Sequence, residues 1–223
     1  MQILEPKITP LTKIDGKEAL MLIQRIAKTC YKTYKTTDDI ESAKRIVKAL
    51  IESGHTSMLE NYSITMNYLG NVAMYKDLRT HRHSSWAVES TRWCNYSKDK
   101  HNGEIKFIKP IEIKEGTPEY QIWLDTMKSI EDSYIKLAKM GAKPDQLSLI
   151  LPHSTAAEFN ITANLREWLH ILNLRSSIAA TGHARPCITQ IMDPTLELFH
   201  KEIPVVFDKL YEQYLIKKNQ KIR

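Results

Sequence analysis

Cysteine is scarce in this chain, with three in 223 residues. Cys30, Cys94 and Cys187 lie far apart and form no Cys-x-x-Cys pair, which argues against a zinc site and against a disulfide framework. The stretch from Met1 to Pro6 lacks a basic segment followed by an apolar run, so no secretory leader is expected. No apolar run approaches the length of a membrane span. Those absences make a reducing cytoplasm the expected compartment. Internal repeats, low-complexity segments and obvious linkers are also missing, so a single domain over residues 1–223 is expected.

What is present suits a folded globular chain. The chain is 42% hydrophobic, enough for a substantial core. Lys and Arg total 32 against 26 Asp and Glu, a net charge of +6. That balance tolerates an anionic partner without naming one. Residues 215–223 form a basic tail, expected to be a frayed, solvated end.

Hydrophobic periodicity supplies the elements. Gly16 to Thr29 reads as a helix. A second follows Thr37, with Asp38 or Asp39 as cap, and runs to Glu52 with Gly54 as its stop. Tyr62 to Tyr68 alternates like a strand. Asn71 to Arg82 reads as a helix capped by Asn71, with cations in its last turn where the helix dipole favours them. A short strand over Glu104–Lys109 precedes a long helix from Pro118 to Met140, and Pro144–Leu151 is a short helix. Thr155–Ala163 reads as a strand, Asn164 or Leu165 to Arg175 as a helix, and Pro186–Tyr214 as a helical region broken near Pro194 and Pro204. The expected class is α+β, mainly helical with a small antiparallel sheet.

Three clusters carry chemistry. From Arg79 to His83 the chain packs four guanidinium or imidazole side chains into five positions, with Ser90, Thr91 and Arg92 following. Such groups are costly to bury without partners and are the usual ligands of phosphate. A salt-bridged corner, with Glu89 taking Arg82 or Arg92, is the alternative. The second cluster runs from Asn164 through Arg166, His170 and Asn173 to Arg175. On a straight helix Arg166, His170 and Asn173 share a face, while Arg175 is nine steps of ~100° from Arg166. One pocket could not easily use them all on the same helix, whereas two pockets, or one assembled between subunits, could. The third is Gly54 to Glu60, with His55 and Ser57 in a connection.

Taken in order, these residues resemble the flavin-dependent thymidylate synthases. Thr80-His81-Arg82, then seven residues, then Ser90 is similar to that family's Arg-His-Arg-x7-Ser signature. The continuation from Glu89 to Lys100 resembles the text that follows it in a subset of the family. Ala27 to Lys32 resembles an early family segment, Gly54 to Glu60 a Gly-His-x-Ser/Thr-x-x-Glu pattern, and Thr162 to Arg175 the late motif.

The resemblance implies a homotetramer with active sites between subunits, FAD as cofactor, NADPH as reductant and methylenetetrahydrofolate as carbon donor. The implied reaction is methylation of dUMP to dTMP without a cysteine nucleophile, so Cys94 is expected to be a small packing residue. The implied FAD ligands are Ser57, His81 and Arg82, with Asn164, Arg166 and His170 from a neighbouring chain. Glu60 would sit near the flavin, and Cys30, Thr80, His83 and Val88 at the cofactor site. Ser90 and Arg92 would take the dUMP phosphate, and Asp77, Arg79, Glu89, Thr91 and Ser148 would line the substrate site. Arg175 would contact the uracil ring and act catalytically. No metal is implied.

The chain also departs from the pattern. Thr80 replaces the first arginine of the signature, Ala87 and Val88 occupy a pair that is usually polar, and Ser148 falls where many members place a phosphate-binding arginine. Hydrogen bonds to charged groups are worth about 1.5–3 kcal/mol each. The losses gather on the nucleotide side, so the same chemistry on another pyrimidine nucleotide, such as dCMP, or a hydroxymethylation is the alternative. A basic nucleic-acid-binding relative is a further one, disfavoured because no aromatic and basic strand pair offers a stacking platform.

Overall fold

The computed structural model describes residues 1–33, 39–98, 102–179 and 184–221. Asp38, Asp99, Lys100 and the last two residues of the basic tail lie outside the described residues. Most expected elements are present because their ends are chemically marked. Helix α1 (Gly16–Tyr31) opens where Asp15 accepts from the Glu18 amide, and α2 (Ile40–Glu52) opens on Asp39 in the same way. At the end of α2 the His55 amide donates to the Leu50 carbonyl at 2.8 Å, and that of Gly54 to Ile51 at 3.1 Å. This paired closure needs a left-handed residue, and Gly54 supplies it with φ +76°. A 3₁₀ turn over Thr56–Asn61 leads into strand β3 (Ser63–Asn71).

The helix expected to reach Arg82 stops earlier. Helix α3 spans Val72–Leu78, with Asn71 as its cap. Beyond it the Thr80 hydroxyl donates to the Asp77 carbonyl at 2.7 Å, supplying a local partner that ends the helical run. His81 and Arg82 therefore lie past the helix, not in its last turn. The next segment, for which no element was expected, is strand β4 (Ser84–Val88), half-buried at residues 84, 86 and 88 and exposed at 85 and 87.

Two short strands at the start, β1 (Gln2–Leu4) and β2 (Lys7–Pro10), were not expected. Strand β1 pairs in parallel with β5 (Lys106–Ile108), so the chain is not purely antiparallel. The larger sheet has the order β2-β3-β6-β4, where β6 is Ala156–Asn164. Residue 65 stands opposite 162 and 67 opposite 160, with side-chain bonds of 2.9 and 2.8 Å, so β3 and β6 are antiparallel.

Residues group into two compact units. The first comprises residues 1–7, 67–80 and 86–160. Its helices are α3, α4 (Pro118–Lys139) and α5 (Pro144–Leu147), the last continued by a 3₁₀ turn over Ser148–Ile150. Its core joins Tyr96, Ile105, Phe107, Met127, Tyr134 and Leu147. Glu131 is buried there, accepting from the Ile105 amide at 2.9 Å and from Lys128 at 3.1 Å.

The second unit comprises residues 8–66, 81–85 and 161–223. It holds α1, α2, α6 (Leu165–Arg175), α7 (Pro186–Glu202) and α8 (Pro204–Lys221). Trp168 is fully buried, donates through Nε1 to the Ile64 carbonyl at 3.1 Å and meets Phe199 edge-on at 5.1 Å. Pro194 does not break α7: Ile191, Met192, Thr195 and Leu196 are buried around it. Burial on that scale outweighs the ~3 kcal/mol a mid-helix proline costs. Pro204 does mark a break, and α8 then carries the basic segment as helix through Lys221. No described helix is long and apolar enough to cross a membrane.

Candidate functional site

The second unit gathers polar side chains around α6. Asn164 caps that helix, its Oδ1 accepting from the Glu167 amide at 2.9 Å. That bond sets the first turn, so Arg166, Glu167 and His170 project from fixed positions. They line a concavity of about 450 Å³ with Glu60, His83 and Asn164. Arg166 and Glu60 form an ion pair, with both side chains about half exposed. Three side chains here can carry positive charge and donate N–H bonds, a set suited to anionic or carbonyl oxygen atoms.

Behind this rim lies His81. It is only 5% exposed. Its Nε2 accepts from Nε of Arg175 at 3.1 Å, its Nδ1 is 3.6 Å from a carboxylate oxygen of Glu167, and its ring meets that of His170 edge-on at 5.4 Å. Burial, then the Arg175 and His170 charges, push the imidazole down to about 4. The ring is therefore neutral at ordinary pH, and its contact with Glu167 is not an ion pair. His170 and Arg175, well apart on the wheel, both reach this one imidazole.

The first unit has a cavity of about 490 Å³ containing Val88, Glu89, Cys94, Tyr96, Lys106 and Glu158 among its lining. Glu89 takes neither Arg82 nor Arg92. One carboxylate oxygen accepts from the Tyr96 hydroxyl at 2.8 Å and the other from the Glu158 amide at 3.1 Å. Burial first, then the Glu89 carboxylate, push the Tyr96 phenol far up, so it stays a donor.

The remaining sequence candidates are more scattered. Cys30 is an exposed thiol in the last turn of α1. Ser57 is exposed on the 3₁₀ turn, its hydroxyl 3.3 Å from Met58 sulfur. Arg79 closes α3, Asp77 holds Thr80, and Arg82 and Arg92 are exposed, with Thr91 half-buried between Ser90 and Arg92. The Ser90 carbonyl anchors a turn, accepting from the amides of Trp93 and Cys94. The Ser148 hydroxyl donates to the Asp145 carbonyl at 2.7 Å. Sequence reasoning missed Glu167, Tyr96 and Glu158. Glu167 could have been noticed as the third residue after a capping Asn, but its burial had no local signal.

Known proteins resemble this chain over most of its length. The family model described as thymidylate synthase complementing protein matches residues 12–205. A flavin-dependent thymidylate synthase of Corynebacterium glutamicum is 25% identical over 88% of this chain and 80% of its own. That of Corynebacterium efficiens is 28% identical over the same shares. Among solved structures, a UMP/dUMP methylase, PolB, from Streptomyces cacaoi bound with 5-Br UMP has the same fold, with a TM-score of 0.75 at 19% identity. That likeness covers 96% of this chain and 97% of the other.

Proposed function

Because the chain belongs to the thymidylate synthase complementing protein family, we propose that it methylates C5 of the uracil in dUMP. In this reading FAD is the cofactor, methylenetetrahydrofolate the carbon donor and NADPH the reductant. The observation that carries it is the meeting of His81, His170 and Arg175 behind a rim bearing Arg166, His83 and Glu60. This is the part of the chain where signature and late motif converge.

The donor set fits a flavin dinucleotide. A guanidinium, two imidazoles and an amide surround the concavity, and such groups hold phosphate and carbonyl oxygens. Arg166, His170 and His83 would hold the cofactor, with Glu60 keeping Arg166 extended. Bound FAD would supply the reducing equivalents that turn a transferred one-carbon unit into methyl. Arg175 would place its guanidinium against the uracil carbonyls and stabilise negative charge as C5 becomes nucleophilic. No step is assigned to the Cys94 thiol. The reading includes a homotetramer whose sites are completed by a second copy.

A second reading keeps the chemistry and changes the nucleotide. It is favoured by Ser148 and Thr80, neutral residues that offer no cation to a phosphate and whose hydroxyls donate to carbonyls of their own turns. The relative from Streptomyces cacaoi is named for both UMP and dUMP. Purified protein is expected to be yellow and to oxidise NADPH with methylenetetrahydrofolate and dUMP, yielding dTMP by mass. If dUMP gives no dTMP under conditions where dCMP or UMP is methylated, the first reading fails and the second stands.

A further inference from the structure

We propose that Lys217, on helix α8, is a positioning residue for Arg175. With Asp193 of α7 it holds the segment Ser176–Ala179 that follows the arginine. The inference rests on the function just proposed, in which Arg175 faces the uracil. Helix α8 lies almost wholly beyond residue 205, where the match to the family model ends, so that match assigns Lys217 no role.

Arg175 is the last residue of α6, and the last turn of a helix has carbonyls with no partner inside it. Such an end frays unless something holds it. Here the Ser176 amide donates to the Leu172 carbonyl at 3.1 Å, and its hydroxyl donates to the same oxygen at 2.6 Å. The next residue is fixed from another helix. The Ser177 amide donates to Oδ1 of Asp193 at 2.7 Å, and its hydroxyl donates to the other carboxylate oxygen. The Ala179 amide then closes a turn on the Ser176 carbonyl at 3.1 Å. That turn presents the carbonyls of Ile178 and Ala179 to α8, where Nζ of Lys217 donates to them at 2.9 and 3.1 Å. Both residues are buried, and a cation beyond a helix C-terminus also meets the negative end of its dipole.

Lys217 can hold this segment because α8 is itself fixed to α7. His200 pairs with Asp208 at 3.0 Å and stacks on Tyr211 at 3.9 Å. Further along, the Tyr214 hydroxyl donates to Oε1 of Glu197 at 2.9 Å, and Lys218 donates to the same oxygen at 3.2 Å. Residues 211, 214 and 218 recur at helical spacing, so one face of α8 meets α7. Lys217 stands beside that face with its ammonium turned to the exit of α6. A guanidinium at a clamped helix end points one way, whereas one at a frayed end samples several directions. A catalytic group misplaced by ~1 Å can cost about 10²-fold in rate.

The test has a spectroscopic and a kinetic arm. In protein labelled with ¹⁵N-arginine, the Nε signal missing from Arg175→Lys reports the guanidinium beside His81. That signal is expected to shift or broaden in Lys217→Met and to return in Lys217→Arg. It is expected to stay in place in Lys209→Met, an exposed position on the same helix. In the dUMP assay Lys217→Met is expected to keep its flavin absorbance and to lose about tenfold to 10²-fold in kcat, with the KM for dUMP changing far less. Lys217→Arg, which brings N–H donors to both carbonyls, is expected to recover most of that loss. If Lys217→Met does not fold, Ser177→Ala, which loses one bond to Asp193, carries the same test with a smaller fall in kcat. An unmoved Arg175 signal, an unchanged kcat, or equal damage in Lys217→Met and Lys217→Arg overturns the positioning role. Absence of turnover in the unmodified protein on every pyrimidine nucleotide counts against the proposed activity instead, and the Arg175 signal still decides Lys217.

Discussion

Glu60 and Arg166, 106 positions apart, meet as an ion pair on the rim of the α6 concavity. Both side chains are about half exposed, so the pair contributes only about 0–1 kcal/mol to stability. Arg166→Ala is therefore expected to leave the urea midpoint nearly unchanged. Flavin affinity, by contrast, is expected to weaken by about 1.5–3 kcal/mol, the worth of a hydrogen bond to a charged group. Flavin titration followed by fluorescence checks it, and unchanged affinity removes Arg166 from the cofactor site.

Arg175→Ala is expected to abolish turnover while the protein keeps its bound flavin. Absorbance of the purified variant and a single-turnover assay separate the two effects. Loss of the flavin with the arginine would reassign Arg175 to the cofactor.

Stability should depend on acid through His81. The buried imidazole titrates near 4 against 6.5 in the unfolded chain, so between those values the unfolded state binds the extra proton. Stability is then lost as pH falls from 6.5 towards 4, by up to roughly 3 kcal/mol in all. Urea unfolding at pH 7 and pH 5 should reveal the slope, and His81→Leu should flatten it.

Gly16→Ala should destabilise the second unit. A Cβ at that position would lie 2.0 Å from the Glu202 carbonyl oxygen, a backbone atom that cannot swing aside. Overpacking of this kind costs about 1–3 kcal/mol, readable as a lower melting temperature.

Glu89→Ala removes the acceptor for the Tyr96 hydroxyl and the Glu158 amide. A cost of about 1–3 kcal/mol is expected. A melting temperature unchanged by the substitution would show that these bonds do not hold the first unit together.

The sequence disclosed what local chemistry decides. Asp15, Asp39, Asn71, Thr117 and Asn164 all cap helices, because a side-chain acceptor three residues before a free amide needs no distant partner. Strand β4 was hidden because it is short, with only Trp86 and Val88 as strong strand formers. Its pairing runs to β6, shown where the Glu89 amide donates to the Glu158 carbonyl at 2.8 Å. Pro194 misled for a similar reason, since burial far along the chain decides whether a helix survives a proline. At the site, the motif residues were legible but their partnerships were not. Glu167 was not among the candidates, because its neighbour in space is a histidine 86 positions earlier. The wheel argument likewise treated α6 as a solitary cylinder.

The pleat of β4 gives the seven-residue interval between Arg82 and Ser90 a meaning beyond length. Within it residues 84, 86 and 88 turn to one side and 85 and 87 to the other. Adding or removing one residue there would exchange the two faces, whereas a change of two would restore them. The interval is thus a matter of parity. In a library of length variants across this segment, folding should alternate between odd and even changes before it declines with size.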